Sequence, residues 1–375
     1  MLNNKTFYNL LIENGITFFT GVPDSLLKDF LAYVTEQTDK DNHIITANEG
    51  NAIALAAGYH LATGKIGLVY MQNSGMGNAF NPLTSLVDKE VYSIPVLLLI
   101  GWRGEPGKKD EPQHIKQGRI TEDLLKVLEI PFTILPDDPD RAREVIERAM
   151  VFMRKESVPF AILVRKGTFH THKFKDEGEE IYPLNREEAI KIIINNLSLQ
   201  DIVISTTGMA SRELFEYREE RKEDHKRDFL TVGSMGHASQ IALGISLWRD
   251  SNVYCLDGDG AFIMHMGGLS VIGSRGLRNF KHIVINNGSH DSVGGQPTEG
   301  FNINITSVAG ACGYRSVFMA YTEEDIIEKF NLLKKAEGPS LLEIRVKKGA
   351  RKNLGRPTIS PVENKRSFMN FLMQE

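Results

Sequence analysis

The chain repeats part of its own sequence pattern, in the same order, at an offset of roughly 185 residues. The matching segments are TGVPDSLLKDF at 20–30 with TGMASRELF at 207–215, AIALAAGY at 52–59 with QIALGIS at 240–246, GMGNAF at 75–80 with GDGAF at 258–262, and VLLLIGWRG at 96–104 with HIVINNGSH at 282–290. A single match arises easily by chance, whereas a series in one order indicates duplication. The repeat therefore predicts two related domains.

Short apolar runs alternate with helical patterns through both halves. These runs lie at 17–19, 43–46, 66–70, 95–100, 159–164, 202–204, 253–256, 282–285 and 341–344. Continuous apolar strands that alternate with helices are typical of parallel sheets covered on both faces. We therefore expect an α/β protein of two related, doubly wound parallel-sheet domains. We place the first domain at 1–166, a polar linker at 167–185 and the second domain at 186–375.

Composition limits the class of protein: of 375 residues, 41% are apolar and 25% charged, which suffices for two ordinary cores. A net charge of −4 with mixed signs gives no reason to expect a nucleic-acid partner. The longest apolar run, 94–102, is too short to span a bilayer, so we expect a soluble cytoplasmic protein without a membrane partner. Cys255 and Cys312 are expected to be buried thiols rather than disulfide partners. The charged run at 216–228 is expected to form a solvated helix end and loop.

Two glycine-flanked polar turns follow apolar runs in the second half: GDG at 258–260 and NNG at 286–288. In a strand–helix–strand unit both turns fall at the carboxyl edge of a parallel sheet, where open α/β folds bind ligands. Gly258 and Gly260 permit close approach of a bulky anion. A helix that begins at Ala261 would direct its N-terminus at that anion.

The same two turns offer hard oxygen ligands for a metal ion. Asp259 supplies a carboxylate, Asn287 an amide oxygen and Ser289 a backbone carbonyl. Together with ligand oxygens and water, such a set suits octahedral Mg²⁺ better than zinc. The sequence does not distinguish Mg²⁺ from Mn²⁺.

GDG at 258–260, followed about 26 residues later by NN at 286–287, resembles the signature of thiamine-diphosphate enzymes. The segment ANEGNAIALAAGYHLATGK at 47–65 is similar to the glutamate helix of that family, and VGSMGHASQIALG at 232–244 to its pyrimidine-holding turn. The resemblance covers nearly the whole chain, as a pyrimidine-binding domain followed by a diphosphate-binding domain. A length of 375 residues leaves no room for the middle domain of the larger decarboxylases.

The resemblance implies thiamine diphosphate and Mg²⁺ as cofactors. Glu49 would hydrogen-bond the pyrimidine ring and promote activation of the cofactor, the carbonyl of Gly233 would accept from its amine, and Met235 would lie beneath its two rings. The implied cofactor-binding residues are Glu49, Gly233, Ser234, Met235, Gly258, Asp259, Gly260, Ala261 and Asn287.

The resemblance is to the 2-oxo acid decarboxylases of this family, and it implies loss of CO₂ from a 2-oxo acid. Asp24, in TGVPDS, stands where the family has an active-site acid. His114, in DEPQH, is a second candidate for proton transfer, although a lone histidine is often structural.

The segment at 101–119, GWRGEPGKKDEPQHIKQGR, is a glycine-rich basic loop. A substrate with a second anionic group would use such a cluster, whereas a solvated basic loop is the plainer alternative. We assign Ser25, Arg103, Lys108 and Lys109 to this anion. The resemblance favours a phosphonate at carbon 3 of the 2-oxo acid over a sulfonate, and the residues alone leave that choice open.

Other classes of protein fit less well. A carboligase of the same family usually has the middle domain, and a non-catalytic cofactor-binding protein would be expected to lack Glu49 or Asp259, which are both present. A nicotinamide-binding fold would need G-x-G-x-x-G, and GMGNAF at 75–80 lacks its third glycine.

The resemblance also implies a homodimer or higher oligomer, with each cofactor shared between the Glu49 domain of one subunit and the Asp259 domain of another.

Overall fold

The computed structural model describes residues 1–173 and 181–374. The chain divides into two compact units, Met1–Glu177 and Gly178–Glu375. Each unit is an α/β fold built on a parallel sheet, as the sequence predicts. Part of the predicted linker, 174–180, lies outside the described residues.

The first unit forms, within residues 1–173, a sheet of six parallel strands in the order β2-β1-β3-β4-β6-β5. The strands are β1 (Phe19–Gly21), β2 (His43–Ile45), β3 (Gly67–Gln72), β4 (Val96–Gly101), β5 (Phe132–Ile134) and β6 (Phe160–Val164). The helices are α1 (Asn4–Glu13), α2 (Lys28–Gln37), α3 (Glu49–Thr63), α4 (Met76–Ser85), α5 (Pro112–Val127) and α6 (Pro139–Glu156), with a 3₁₀ turn at Asn73–Gly75.

The second unit forms, within residues 181–374, a six-stranded parallel sheet in the order β8-β7-β9-β10-β12-β11. The strands are β7 (Ile202–Ser205), β8 (Asp228–Leu230), β9 (Val253–Gly258), β10 (Phe280–Asn286), β11 (Ser316–Ala320) and β12 (Ser340–Arg345). The helices are α7 (Arg186–Asn195), α8 (Met209–Glu220), α9 (Ala238–Ser246), α10 (Asp259–Met264), α11 (Gly268–Arg275), α12 (Ile305–Ala311), α13 (Glu323–Lys335) and α14 (Pro361–Leu372). Two 3₁₀ turns lie at Asp291–Val293 and Glu299–Phe301.

The two sheets have the same strand order, since β7 to β12 take the places of β1 to β6 one by one. The predicted duplication is therefore confirmed at the level of topology. Both faces of each sheet are covered: on β4, Leu97 and Leu99 pack into one apolar cluster, whereas Val96 and Leu98 pack into another. No helix within the described residues is long and apolar enough to cross a membrane.

Three strands were not predicted, namely β5, β8 and β11. Each is the last strand at one edge of its sheet, where β5 and most of β11 are only partly buried, whereas β8 is mostly buried. A partly exposed strand has no need of a continuous apolar run, so the sequence signal on which we relied is weak there.

The charged run at 216–228 differs from its predicted state. Arg218 is only 1% exposed and donates from Nε and Nη2 to the carboxylate of Asp228, at 2.8 and 3.0 Å. This pair joins α8 to the start of β8, so the prediction of a solvated segment was wrong for these two residues. Burial is tolerated because the two opposite charges satisfy each other in bidentate geometry.

The start of the predicted linker packs into the first unit. Phe169 is 5% exposed, and its ring lies 5.4 Å from that of Phe7 and 5.2 Å from that of Phe30. The ordered chain of this unit therefore continues beyond residue 166.

Cys255 is buried as expected, whereas Cys312 is only partly buried, and both thiols are free.

Candidate active site

Asp259 and Asn287 come from neighbouring strands of the second unit. Gly258, the last residue of β9, pairs with Ile285 in β10, so the residues that follow the two strands emerge side by side at the carboxyl edge. Asp259 is 3% exposed and Asn287 is also 3% exposed. The structure thus brings together the carboxylate and the amide that the two turns predict.

The carboxylate of Asp259 is buried, and the groups that affect it most are neutral hydrogen-bond donors. Burial raises the pKa of Asp259 to about 6, and the opposing groups are the Thr298 hydroxyl and the backbone N–H groups of Asp259, Gly260 and Asn287. Thr298 Oγ1 donates to Asp259 Oδ2. A buried carboxylate that is stabilised mainly by neutral donors is well suited to a divalent cation, which would hold it in its charged form.

The Asn287 amide has a defined orientation. Its Oδ1 accepts from the backbone N–H of Ser289 at 3.1 Å, and its Nδ2 donates to Asp291 Oδ2 at 2.7 Å. An amide oxygen has two lone pairs, so one remains for a metal ion. Ser289 is 7% exposed, and its hydroxyl has no hydrogen-bond partner in the described part of the chain.

The turn before α9 has a strained backbone. Gly233, Ser234 and Gly236 have φ values of 73°, 47° and 83°, and Gly233 N–H donates to Thr207 Oγ1 at 3.0 Å. A positive φ is uncommon for serine and indicates that the surroundings impose this conformation. Met235 lies in this turn, and the family resemblance implies that it lies beneath the rings of the cofactor.

Gly260 lies between Met235 and a histidine that the sequence did not single out. A Cβ at residue 260 would stand 3.4 Å from Met235 Cε and 2.9 Å from His290 Cε1, so a larger residue there would require the His290 ring to move. Around Gly258, by contrast, a Cβ would meet nothing within 4 Å. The helix expected from Ala261 begins two residues earlier, at Asp259, and Ala261 is buried.

In the first unit, Glu49 is the first residue of α3 and is 5% exposed. Its Oε2 accepts from Asn78 Nδ2 at 2.7 Å, and a Cβ at Gly75 would collide with the Glu49 carboxylate. Burial raises the pKa of Glu49, and the Asn78 hydrogen bond opposes that shift only in part. A buried carboxylate with a raised pKa is suited to exchange a proton with a bound group.

Asp24 follows β1 and is fully buried. Its Oδ1 accepts from Gln72 Nε2 at 2.8 Å and its Oδ2 from the Leu26 N–H at 2.6 Å. Burial raises the pKa of Asp24, whereas these two hydrogen bonds and the charge of Arg103 lower it. A Cβ at Gly101 would collide with this carboxylate.

Arg103, after β4, is the mostly buried cation of the basic loop, with 17% of its side chain exposed. Its Nη1 donates to Ser25 Oγ at 2.7 Å, and its Nε and Nη2 donate to the two oxygens of Asp110. The sequence did not identify Asp110 as a partner of this arginine. The ion pair fixes the guanidinium plane and leaves Nη1 and Ser25 as the donors on its other side.

The prediction of a loop over 101–119 was wrong for residues 112–119, because α5 begins at Pro112. The remaining predicted residues of this segment differ in burial. His114, near the start of α5, is 8% exposed, and burial together with the charge of Arg103 lowers the pKa of His114 to about 4. His114 is therefore neutral near pH 7. Lys108 and Lys109 are exposed to solvent, so their assignment to a substrate anion stays a prediction with less support than that of Arg103.

Several polar residues of the candidate site were missed because only the fold reveals their contacts. They are Gln72, Asn78, Asp110, Asp291 and Thr298, each of which hydrogen-bonds a predicted site residue. Of these residues, only Asn78 could have been found from the internal repeat. It belongs to GMGN at 75–78, which aligns with GDGA at 258–261 around the GDG turn. The residue set fits thiamine diphosphate with a divalent ion: the second unit offers the buried Asp259 carboxylate, the Asn287 amide oxygen and open space at Gly258, and the first unit offers the buried Glu49 carboxylate.

Comparison with known proteins supports the same family. Residues 4–125 match the family described as thiamine pyrophosphate enzyme, N-terminal TPP binding domain, and residues 206–344 match its C-terminal TPP binding domain. Thiamine pyrophosphate is thiamine diphosphate under its other name.

Curated relatives extend over almost the full chain. Phosphonopyruvate decarboxylase from Streptomyces viridochromogenes is 33% identical over 96% of this chain and 92% of its own length. Phosphonopyruvate decarboxylase from Streptomyces hygroscopicus is also 33% identical, over 95% of this chain and 90% of its own. Sulfopyruvate decarboxylase from Methanosarcina acetivorans is 26% identical, over 97% and 96%. The chain therefore belongs to the thiamine pyrophosphate enzymes, in the same family as the phosphonopyruvate decarboxylases of Streptomyces.

Proposed function

We propose that this chain is a carboxy-lyase that converts 3-phosphonopyruvate to phosphonoacetaldehyde and CO₂, with thiamine diphosphate and Mg²⁺ as cofactors. The names of the two Streptomyces relatives, at 33% identity over nearly the full length, support this substrate. The structural observation that carries the proposal is the mostly buried Arg103, which Asp110 orients and whose Nη1 donates to Ser25. A guanidinium held in this way is suited to bind a second anion on the substrate.

The second unit would hold the cofactor diphosphate through its metal. Asp259, Asn287 and the carbonyl of Ser289 would bind Mg²⁺, and the open space at Gly258 would admit the diphosphate. When bound, thiamine diphosphate supplies the electron sink for the electron pair released as CO₂ leaves. In the first unit, Glu49 would hydrogen-bond the cofactor ring and exchange a proton with it.

Loss of CO₂ requires one proton in exchange, and two residues were candidates for its delivery. Asp24 is the better donor, because burial raises its pKa and favours the protonated form. His114 has a pKa of about 4 and is neutral near pH 7, so it is suited to hydrogen bonding as a neutral imidazole rather than to proton transfer. We assign Asp24 to proton delivery and His114 to substrate orientation.

We further propose that the metal is Mg²⁺ and that the chain acts as a homodimer or higher oligomer, in which Glu49 of one subunit and Asp259 of another serve the same cofactor. In phosphonate biosynthesis the release of CO₂ would draw forward an unfavourable reaction that forms the carbon–phosphorus bond. Both statements follow from the family resemblance.

Sulfopyruvate is the second candidate substrate, because the relative from Methanosarcina acetivorans matches 97% of the chain. Its sulfonate carries one negative charge, whereas a phosphonate carries up to two. Both anions could use the same donors, so a direct comparison of substrates is needed.

The proposal is tested by CO₂ release from purified protein with thiamine diphosphate and Mg²⁺. We expect kcat/KM to be at least about 100-fold higher for phosphonopyruvate than for pyruvate, because the second anion contributes binding to Arg103. A preference for sulfopyruvate would show that the second anion of the substrate is a sulfonate rather than a phosphonate, and the type of reaction would be unchanged. No CO₂ from phosphonopyruvate, sulfopyruvate or pyruvate, with cofactor demonstrably bound, would contradict the proposal and favour a carboligase.

Arg103→Ala is expected to raise KM for phosphonopyruvate by about 10- to 100-fold, since hydrogen bonds to charged groups contribute about 1.5–3 kcal/mol. KM for pyruvate, which lacks the second anion, should change much less. Steady-state kinetics with both substrates measures the ratio.

A matched control is Arg143→Ala, which removes an exposed arginine paired with Glu13 at 3.0 Å in the same unit. We expect this variant to keep both KM values. An equal rise of KM for phosphonopyruvate and for pyruvate in Arg103→Ala would show that Arg103 does not bind the second anion. Its role would then be to stabilise the conformation of the loop.

A further inference from the structure

A buried ionic network lies behind the candidate metal turn of the second unit. Arg186, the first residue of α7, is 8% exposed. It donates from Nε and Nη2 to the two carboxylate oxygens of Glu213, at 2.8 and 2.9 Å. Its Nη1 donates to Asp291 Oδ2 at 2.8 Å. Three charged side chains thus join α7, α8 and the loop after β10.

The network ends on the candidate metal ligand. Asp291 Oδ2 also accepts from Asn287 Nδ2 at 2.7 Å and from the backbone N–H of Gly349 at 3.1 Å. One carboxylate oxygen therefore receives an arginine, an amide and a main-chain donor. Because a carboxylate can only accept, it selects the NH₂ end of the Asn287 amide.

Because the NH₂ group of Asn287 faces Asp291, the amide oxygen of Asn287 lies on the opposite side. Its Oδ1 faces the Ser289 N–H, 3.1 Å away, and keeps a free lone pair. A rotation of the amide by half a turn would set Oδ1 against the Asp291 carboxylate and Nδ2 against the Ser289 N–H. Both new contacts are repulsive, so the observed orientation is strongly favoured.

We propose that Asp291, held by Arg186, is a positioning residue that fixes the Asn287 amide with its oxygen available to a divalent cation. The inference rests on the proposed function, because it concerns the metal ion of the same cofactor site. Asp291 would act through Asn287 and would not itself be a ligand of the metal. Groups that orient metal ligands typically change metal affinity by about 10- to 100-fold when removed.

A purely structural role is the alternative, in which the network only anchors α7 and the loop. That role predicts a lower unfolding temperature of the cofactor-free protein and an unchanged metal requirement. Positioning predicts a changed metal requirement in any variant that still folds. The two are separated by the Mg²⁺ concentration at which cofactor binding is half-saturated.

The test is calorimetric titration of thiamine diphosphate into the purified protein over a series of Mg²⁺ concentrations. We expect Asp291→Ala to raise the half-saturating Mg²⁺ concentration by about 10- to 100-fold, with cofactor binding restored at high Mg²⁺. Asp291→Leu fills the same space without an acceptor and serves if the alanine variant unfolds. Both should show the same shift.

Asp228→Asn is the matched control, since it weakens another buried arginine–aspartate pair of the same unit, with Arg218 at 2.8 Å. It should lower the unfolding temperature and leave the half-saturating Mg²⁺ concentration unchanged. An unchanged Mg²⁺ requirement in folded Asp291 variants overturns the inference and leaves the proposed function intact. A wild-type protein that binds cofactor without any Mg²⁺ dependence overturns the inference and the assignment of Mg²⁺, whereas the decarboxylation is tested separately by CO₂ release.

Discussion

Glu49→Gln is expected to lower kcat by about 10²- to 10⁴-fold while the protein still binds thiamine diphosphate. The Glu49 carboxylate is 5% exposed, and burial raises its pKa, so it is poised to exchange a proton. Glutamine has the same shape and can keep a hydrogen bond with Asn78, which lies 2.7 Å from Oε2. It cannot exchange that proton, so binding and turnover should separate.

Calorimetry gives the cofactor affinity of this variant, and CO₂ release gives its turnover. Glu36→Gln is a matched control, because Glu36 is a largely buried carboxylate of the same unit that hydrogen-bonds His172 Nε2 at 2.9 Å. This control should keep kcat near the wild-type value. Turnover of Glu49→Gln at the wild-type level would exclude the assigned role, and equal losses in both variants would indicate a general effect of lost charge.

The parts of the fold that follow from short-range pattern were predictable. Central strands such as β4 and β10 are buried on both faces, so they must be apolar along their whole length, and this produces a visible run. The glycine turns after them are equally visible, because close approach there excludes a side chain. Partly exposed edge strands lack that requirement, and β5 and β11 were missed for this reason. The mostly buried β8 was missed because it begins with Asp228, at the end of the charged run 216–228.

The partners of the site residues were not predictable, because they depend on which loops the fold brings together. Arg103 pairs with Asp110 rather than joining the neighbouring lysines, and Asp291 connects Asn287 to Arg186 across 105 positions of the chain. Charge pattern along the sequence suggested a basic loop, whereas in the structure its buried cation is compensated by a carboxylate. The family resemblance supplied the roles of Glu49 and Asp259, which burial and local pattern alone would have left open.

Asp259→Ala is expected to weaken Mg²⁺-dependent binding of thiamine diphosphate by at least about 100-fold, since even groups behind a metal ligand contribute 10- to 100-fold. Asp259 provides the charged oxygen at the carboxyl edge of the second sheet, and its pKa is raised to about 6 by burial. Removal of this buried carboxylate also removes an unfavourable desolvation, so the cofactor-free protein should remain folded. The loss should therefore appear in binding and not in the unfolding temperature.

Calorimetry with thiamine diphosphate at saturating and limiting Mg²⁺ measures this loss, and thermal unfolding without cofactor checks the fold. Asp201→Ala is a matched control: Asp201 is 3% exposed in the same unit and accepts from the Ser198 N–H at 2.6 Å, at the amino end of β7. It should keep the cofactor affinity, because the amino ends of parallel strands lie at the edge of the sheet opposite the binding turns. An unchanged cofactor affinity in Asp259→Ala would show that the metal does not bind at the GDG turn. A loss of cofactor affinity in both Asp259→Ala and Asp201→Ala would indicate a general loss of stability.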